Sequence, residues 1–156
     1  ITEPAVYRHF SSKRNLLAAM MEDLQGAMLP HFRSLAEDGN TLEESLRRFA
    51  ESLFGELRGR PEYASFLFSE EAFHSERELK HILNRMFDES LAMVCNAIQS
   101  LQERNACRVD LDPSDIAALV MGSLRLAVSR WHLGNGTEPS EYLDRFVSVF
   151  RTILAP

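Results

Sequence analysis

Cysteine is scarce. Only Cys95 and Cys107 occur among 156 residues. Two thiols cannot build a disulfide framework or a four-thiolate zinc site, and their scarcity fits a reducing, cytoplasmic setting. Seven glycines and six prolines are too few for the many tight turns of an all-β sandwich. No apolar run reaches the ~18–20 residues that span a bilayer. The longest, residues 116–128, is interrupted by Gly122, Ser123 and Arg125, so no membrane role is expected. The sequence shows no signal-peptide pattern, repeat, low-complexity segment, Gly-rich phosphate loop or Ser-His-Asp order. What is present is an ordinary globular mixture, 45% apolar and 26% charged, long enough for one domain with or without a small appendage.

The net charge is −6, which argues against a general nucleic-acid binder. The charge is uneven, however. Residues 1–15 hold three cations, Arg8, Lys13 and Arg14, against Glu3 alone, a net +2 that leaves −8 for the rest. The sequence opens on Ile-Thr-Glu-Pro rather than Met and reads as the interior of a longer protein, extending toward its N-terminus.

Helical signals run throughout. Thr2 caps a short helix over residues 3–10 with Pro4 in its first turn, and Ser11-Ser12 separates it from a second helix from Lys13 to about Leu35, kinked or divided at Pro30. Thr41 and Glu44 form a capping box for a helix ending at Gly59, and Pro61 opens a short one to about Ser69. Ser75 and Glu78 form a second capping box, starting a central helix to about Arg104. Asp112-Pro113 starts a helix to about Leu133 that is apolar on nearly every side, which requires a central position or a partner chain. The last helix, from about Ser140 to Ala155, carries two apolar stripes. One is Leu143, Val147, Phe150 and Leu154; the other is Tyr142, Phe146, Val149 and Ile153. The longest alternating, strand-like stretch is only Cys107 to Leu111. The fold class is all-α.

The most specific local signal is residues 2–17, TEPAVYRHFSSKRNLL. A helix start bearing Thr and small side chains can approach a major groove closely, and Tyr7, His9 and Lys13 can contact phosphates at its edge. Against this stands a plain solvated amphipathic helix with incidental basic residues. The run Tyr7-Arg8-His9-Phe10, followed by Ser11-Ser12-Lys13, resembles the end of the helix-turn-helix in TetR-family transcriptional regulators. About seventeen residues match specifically; the remainder resembles the family in helix number and order. The family's first two helices are absent from this sequence.

The resemblance implies a TetR-like helical bundle: residues 1–15 as the end of a DNA-binding helix-turn-helix, and residues 16–156 as an effector-binding and dimerisation domain. It implies that Thr2, Glu3 and Ala5 face base edges or nearby phosphates, and that Tyr7, His9 and Lys13 touch the DNA backbone. Arg8 would lie at an exposed, variable position. Glu3 is awkward beside phosphate and serves better as a partner for the helix N-terminus. The implied partners are a pseudo-palindromic operator, a small-molecule effector of unknown identity and a second copy of the chain, with no cofactor. The implied effector cavity draws on Phe49, Leu53, Phe66, Met86, Phe87, Ser90, Met121 and Arg125, with Asn84 a further polar candidate. The dimer seam draws on Val120, Leu124, Ala127, Val128, Trp131, Phe146, Val149, Phe150 and Ile153.

The implied function is a ligand-responsive DNA-binding regulator, a repressor released from its operator by the effector. The alternative is a helical dimerisation or scaffold protein with a filled core. A third reading, an enzyme, rests on two Glu-x-x-His pairs, Glu71 with His74 and Glu78 with His81. Di-iron bundles draw such pairs from different helices. These two belong to one acidic corner, so neither a metal nor catalytic residues are expected. Cys95 reads as an apolar filler; Cys107 lies in a polar connection where a reactive thiol is conceivable, but only Arg104 and Arg108 are near enough to lower its pKa, so a redox role is not expected. His132 reads as a cation at a helix C-terminus.

Overall fold

The structure is a computed structural model that describes residues 12–35, 41–68, 77–134 and 139–156. The described residues form six α-helices and no strand. They are α1 (Lys13–Ser34), α2 (Leu42–Gly59), α3 (Pro61–Leu67), α4 (Arg77–Glu103), α5 (Pro113–His132) and α6 (Pro139–Leu154). Helix α1 packs on α2 and α4, α4 on α5, α3 on α2 and α5, and α6 on α2 and α5.

Local chemistry sets most of the boundaries. Ser12 caps α1, its hydroxyl accepting from the Asn15 N–H at 3.1 Å. Thr41 and Glu44 form the expected reciprocal capping box on α2, and the backbone N–H of Thr41, donating to Glu44, holds that carboxyl below its ordinary value. Asp112 caps α5 through the Ser114 N–H and hydroxyl, with Pro113 in the first turn. Helix α4 ends in a Schellman motif. The Ala106 N–H donates to the Leu101 carbonyl and the Asn105 N–H to that of Gln102, with Asn105 at φ 55°. Gly134, at φ 69°, closes α5 through the Trp131 carbonyl.

Two sequence expectations narrow here. Of the two outcomes expected at Pro30, division does not occur: helix α1 is continuous through it. Leu24, Met28, Phe32 and Leu35 bury one face on both sides of the proline, whose ring is exposed. The carbonyl that a proline ring crowds is four residues back, and here it belongs to Gly26, whose backbone yields most readily. Cys107 is fully buried rather than open to reaction. Its connection is clamped onto the end of α6, where the Arg108 N–H donates to the Leu154 carbonyl at 2.9 Å and the Arg108 guanidinium to that of Ile153 at 3.1 Å. Burial pushes the Cys107 thiol up, only partly offset by Arg108. Cys95 is half-buried against the core. Of the second capping box, Ser75 lies outside the described residues.

Gly55 sits within α2, exposed, and a Cβ there would meet nothing within 4 Å. Gly55→Ala removes a helix-interior glycine at no steric cost. It should raise stability by about 0.5–1 kcal/mol, read as a higher urea midpoint at an unchanged m-value.

Candidate functional site

Five of the helices, α1 to α5, line a cavity of about 200 Å³ that is open to solvent on one side. Helix α1 supplies Leu24, Gln25, Met28, Leu29 and Phe32, and α2 supplies Leu53 and Leu57. Leu67 and Phe68 close one end, and Met86, Phe87, Glu89, Ser90 and Met93 come from α4. Helix α5 contributes Met121, Gly122, Leu124, Arg125 and Val128. The apolar stripes of five helices converge on this volume without filling it.

Polar groups are few. Ser90 is buried, and its hydroxyl donates to the Met86 carbonyl one turn back at 2.8 Å, leaving its lone pairs available. Gln25 Nε2 donates to Glu89 Oε2 at 2.5 Å, linking α1 to α4 at the cavity rim. Arg85 Nε lies 3.9 Å from the other Glu89 oxygen. The Arg125 guanidinium lies 5.2 Å from the ring centroids of both Phe68 and Phe87, a double cation–π contact. The arginine of the otherwise apolar α5 thus sits at the cavity edge, exposed and beside two aromatic rings. His132, in the last turn of α5, stacks on Phe68 with centroids 6.0 Å apart.

Beside the cavity a polar cluster ties α1 to the α2–α3 junction. Tyr63 Oη donates to Asp23 Oδ2 at 2.6 Å and accepts from Arg60 Nη1. Arg60 also lies 3.7 Å from Asp23 and 3.5 Å from Glu56, and His31 Nε2 lies 3.7 Å from Glu56. Burial raises the Tyr63 phenol above its ordinary value, and the hydrogen bond to Asp23 adds to this.

Of the eight residues singled out for a cavity, Leu53, Met86, Phe87, Ser90, Met121 and Arg125 line this volume. Phe49 and Phe66 are core residues outside its lining, and Phe49 packs on Phe32 with centroids 5.3 Å apart. Asn84 is exposed and also outside it. Sequence reasoning missed Gln25, Met28, Glu89 and Met93. The α1 stripe that carries Met28 was visible, but nothing in the sequence says that α1 faces α4. Thr2, Glu3, Ala5, Tyr7, Arg8 and His9 lie outside the described residues. Lys13 is exposed at the first turn of α1. Glu71 and His74 also lie outside, His81 is exposed, and among the described residues no three His, Cys, Asp or Glu side chains gather as metal ligands.

The seam residues divide. Val149 and Ile153 are exposed, and Trp131 is half-buried. Val120, Leu124, Ala127, Val128, Phe146 and Phe150 are buried within the chain itself and present little surface to a partner. The remaining exposed apolar positions on α5 are Leu119 and Leu126.

No protein-family model matches the sequence. Among curated proteins, the chain is similar to the nucleoid occlusion factor SlmA of Photobacterium profundum, at 18% identity over 147 residues, spanning 94% of this chain and 75% of SlmA. Among solved structures it resembles a transcriptional regulator, FadR from Bacillus subtilis, in complex with stearoyl-CoA. The TM-score is 0.77 at 15% identity, covering 96% of this chain and 81% of FadR. The fold is an all-α, TetR-like helical bundle. At this identity the likeness concerns architecture: the order of the helices and their packing into an all-α bundle. Among the described residues, no helix is long and apolar enough to cross a membrane.

Proposed function

We propose that the chain is a ligand-responsive, DNA-binding transcriptional regulator: a homodimeric repressor released from a pseudo-palindromic operator when an effector enters the cavity. One observation carries this reading. Helix α1 begins at Lys13, directly after the recognition-helix motif, and its far half supplies five residues of the cavity wall. A molecule in the cavity therefore acts on the helix that begins, in sequence, where the recognition-helix motif ends. The likeness in fold to FadR, a transcriptional regulator in complex with stearoyl-CoA, supports the reading. A scaffold without an effector calls for a filled core, and a cavity of about 200 Å³ argues against it. In this reading residues 1–15 belong to the DNA-binding unit and residues 16–156 to the sensing and dimerising unit.

The mechanism is a shift of population. Recognition helices of a bound dimer sit one DNA turn apart, about 34–36 Å. An effector that fits the cavity only when α1 has moved favours a spacing that the operator cannot accept. A hundredfold loss of operator affinity requires the effector to prefer the released state by about 2.7 kcal/mol.

The DNA arm is tested at Lys13 in the natural protein. Lys13→Ala should weaken binding to all sequences alike and lower the salt slope by about one, because a phosphate contact carries no base information. Titrations of operator and scrambled DNA across salt concentrations measure this. A changed base preference would refute the assigned role, and an unchanged affinity for both DNAs would remove Lys13 from the interface.

A further inference from the structure

The chemical class of the effector follows from how the cavity distributes charge, an inference that rests on the ligand-responsive reading above. Most of the wall is apolar and rich in thioethers, with Met28, Met86, Met93 and Met121 all contributing. Unbranched, polarizable methionines repack around bodies of different shape, so the wall selects on volume more than outline. The volume, about 200 Å³, is itself selective. It exceeds the ~150 Å³ apolar cavity that admits benzene and falls below the ~300–1,000 Å³ of sites for drug-sized ligands. One ring or a short chain fills that space, and a longer chain would extend out through its open side.

The two charges at the wall are not equivalent. Glu89 already accepts from Gln25 and has Arg85 beside it. Arg125 has aromatic rings and, among the described residues, no carboxylate within 4 Å. Cation–π contacts use none of the guanidinium N–H donors in a hydrogen bond, and among the described residues Arg125 makes none, so these donors are left for another acceptor. Phe68 and Phe87 also fix the guanidinium at the cavity edge, so little side-chain freedom remains to be lost on binding.

We propose that the cavity takes a compact lipophilic anion, with its apolar body among the methionines and its carboxylate, or a comparable oxyanion, on the Arg125 guanidinium. A neutral analogue of the same body keeps the apolar contacts and loses the charge-assisted hydrogen bonds. A cationic analogue meets Arg125 directly and gains Glu89 only by displacing Gln25.

The test is calorimetric titration of the natural protein and of Arg125→Gln and Arg125→Lys with phenylbutanoate, phenylbutanamide and phenylbutylamine. Arg125 is exposed enough that neither change empties the core. The carboxylate should bind the unmodified protein about tenfold more tightly than the amide, and the amine most weakly. Arg125→Gln should abolish the preference for carboxylate over amide while leaving amide binding in place, and Arg125→Lys should restore part of it. Equal binding of carboxylate and amide, a preference that survives Arg125→Gln, or tightest binding of the amine overturns the anion assignment and leaves the apolar effector cavity standing. If none of the three probes binds, the anion assignment and the effector reading fall together.

Discussion

Phe146→Ala should cost about 3–5 kcal/mol, the usual loss for truncating a buried aromatic side chain, and lower the melting temperature by roughly 6–20 °C for a chain of this length. Phe146 is only 4% exposed. It stands in a ladder along α6, with its ring centroid 6.0 Å from that of Tyr142 and 4.7 Å from that of Phe150. Tyr142 in turn packs 6.2 Å from Phe54 of α2, and its hydroxyl donates to the Ser123 carbonyl of α5 at 2.7 Å. The ladder thus joins the three helices, and polar contacts flank it, with Arg47 2.8 Å from Asp144 and Arg151 3.6 Å from Glu43. These surface pairs add little, so they cannot hold α6 in register once the ring is gone. Thermal and urea unfolding followed by circular dichroism measure the loss. A cost below about 1 kcal/mol would mean that the site collapses around the missing ring and that α6 is held elsewhere. Read as a seam residue, Phe146 would instead affect mainly association.

That reassignment marks where the sequence stopped being legible. Helix ends were readable because capping is local: Thr41 with Glu44 and Asp112 with Pro113 each need only a few neighbours. Helix existence was readable from spacing. Facing was not readable on α5, because a helix apolar all round has no single stripe to mark its inner side. The structure turns Ile116, Ala117, Val120, Leu124, Ala127 and Val128 inward and leaves Leu119 and Leu126 outside. The choice at Pro30 between a kink and a division was not readable for a related reason. A proline's local penalty is visible in sequence, whereas the burial of Leu24, Met28 and Phe32 that keeps α1 continuous is tertiary. The polar neighbours of Cys107 left its burial illegible, yet those same neighbours clamp the connection shut through Arg108. The cavity was half legible. Aromatic and methionine abundance pointed to α4 and α5, but Gln25 and Glu89 meet only because α1 crosses α4, a pairing 64 residues apart in sequence.

Leu126→Glu and Val149→Glu should each convert a dimer into a folded monomer. The exposed apolar side chains on α5 and α6 are Leu119 (54%), Leu126 (61%), Val149 (55%) and Ile153 (41%). Leu119 and Leu126 are seven residues apart, two turns along one face of α5, with Gly122 exposed between them and no atom within 4 Å of where its Cβ would be. Val149 and Ile153 are one turn apart on α6, which packs against α5. Two such helices from each of two chains can close into a four-helix seam about a two-fold axis, and the gap at Gly122 admits a facing side chain. A stable contact of this kind buries about 1,200–2,000 Å². Two-fold symmetry introduces each glutamate twice, and an unpaired buried charge costs about 3–5 kcal/mol. A micromolar dimer would then weaken by at least two to three orders of magnitude. The folded chain itself should be spared, because both positions face solvent within the protomer and glutamate is a good helix former. Sedimentation velocity at tens of micromolar, paired with circular dichroism, separates the effects: the unmodified protein should sediment as a dimer, and both variants as monomers of unchanged helicity. Variants that remain dimeric would move the seam off this face. A monomeric unmodified protein would leave the two recognition helices without the fixed spacing that a pseudo-palindromic operator demands.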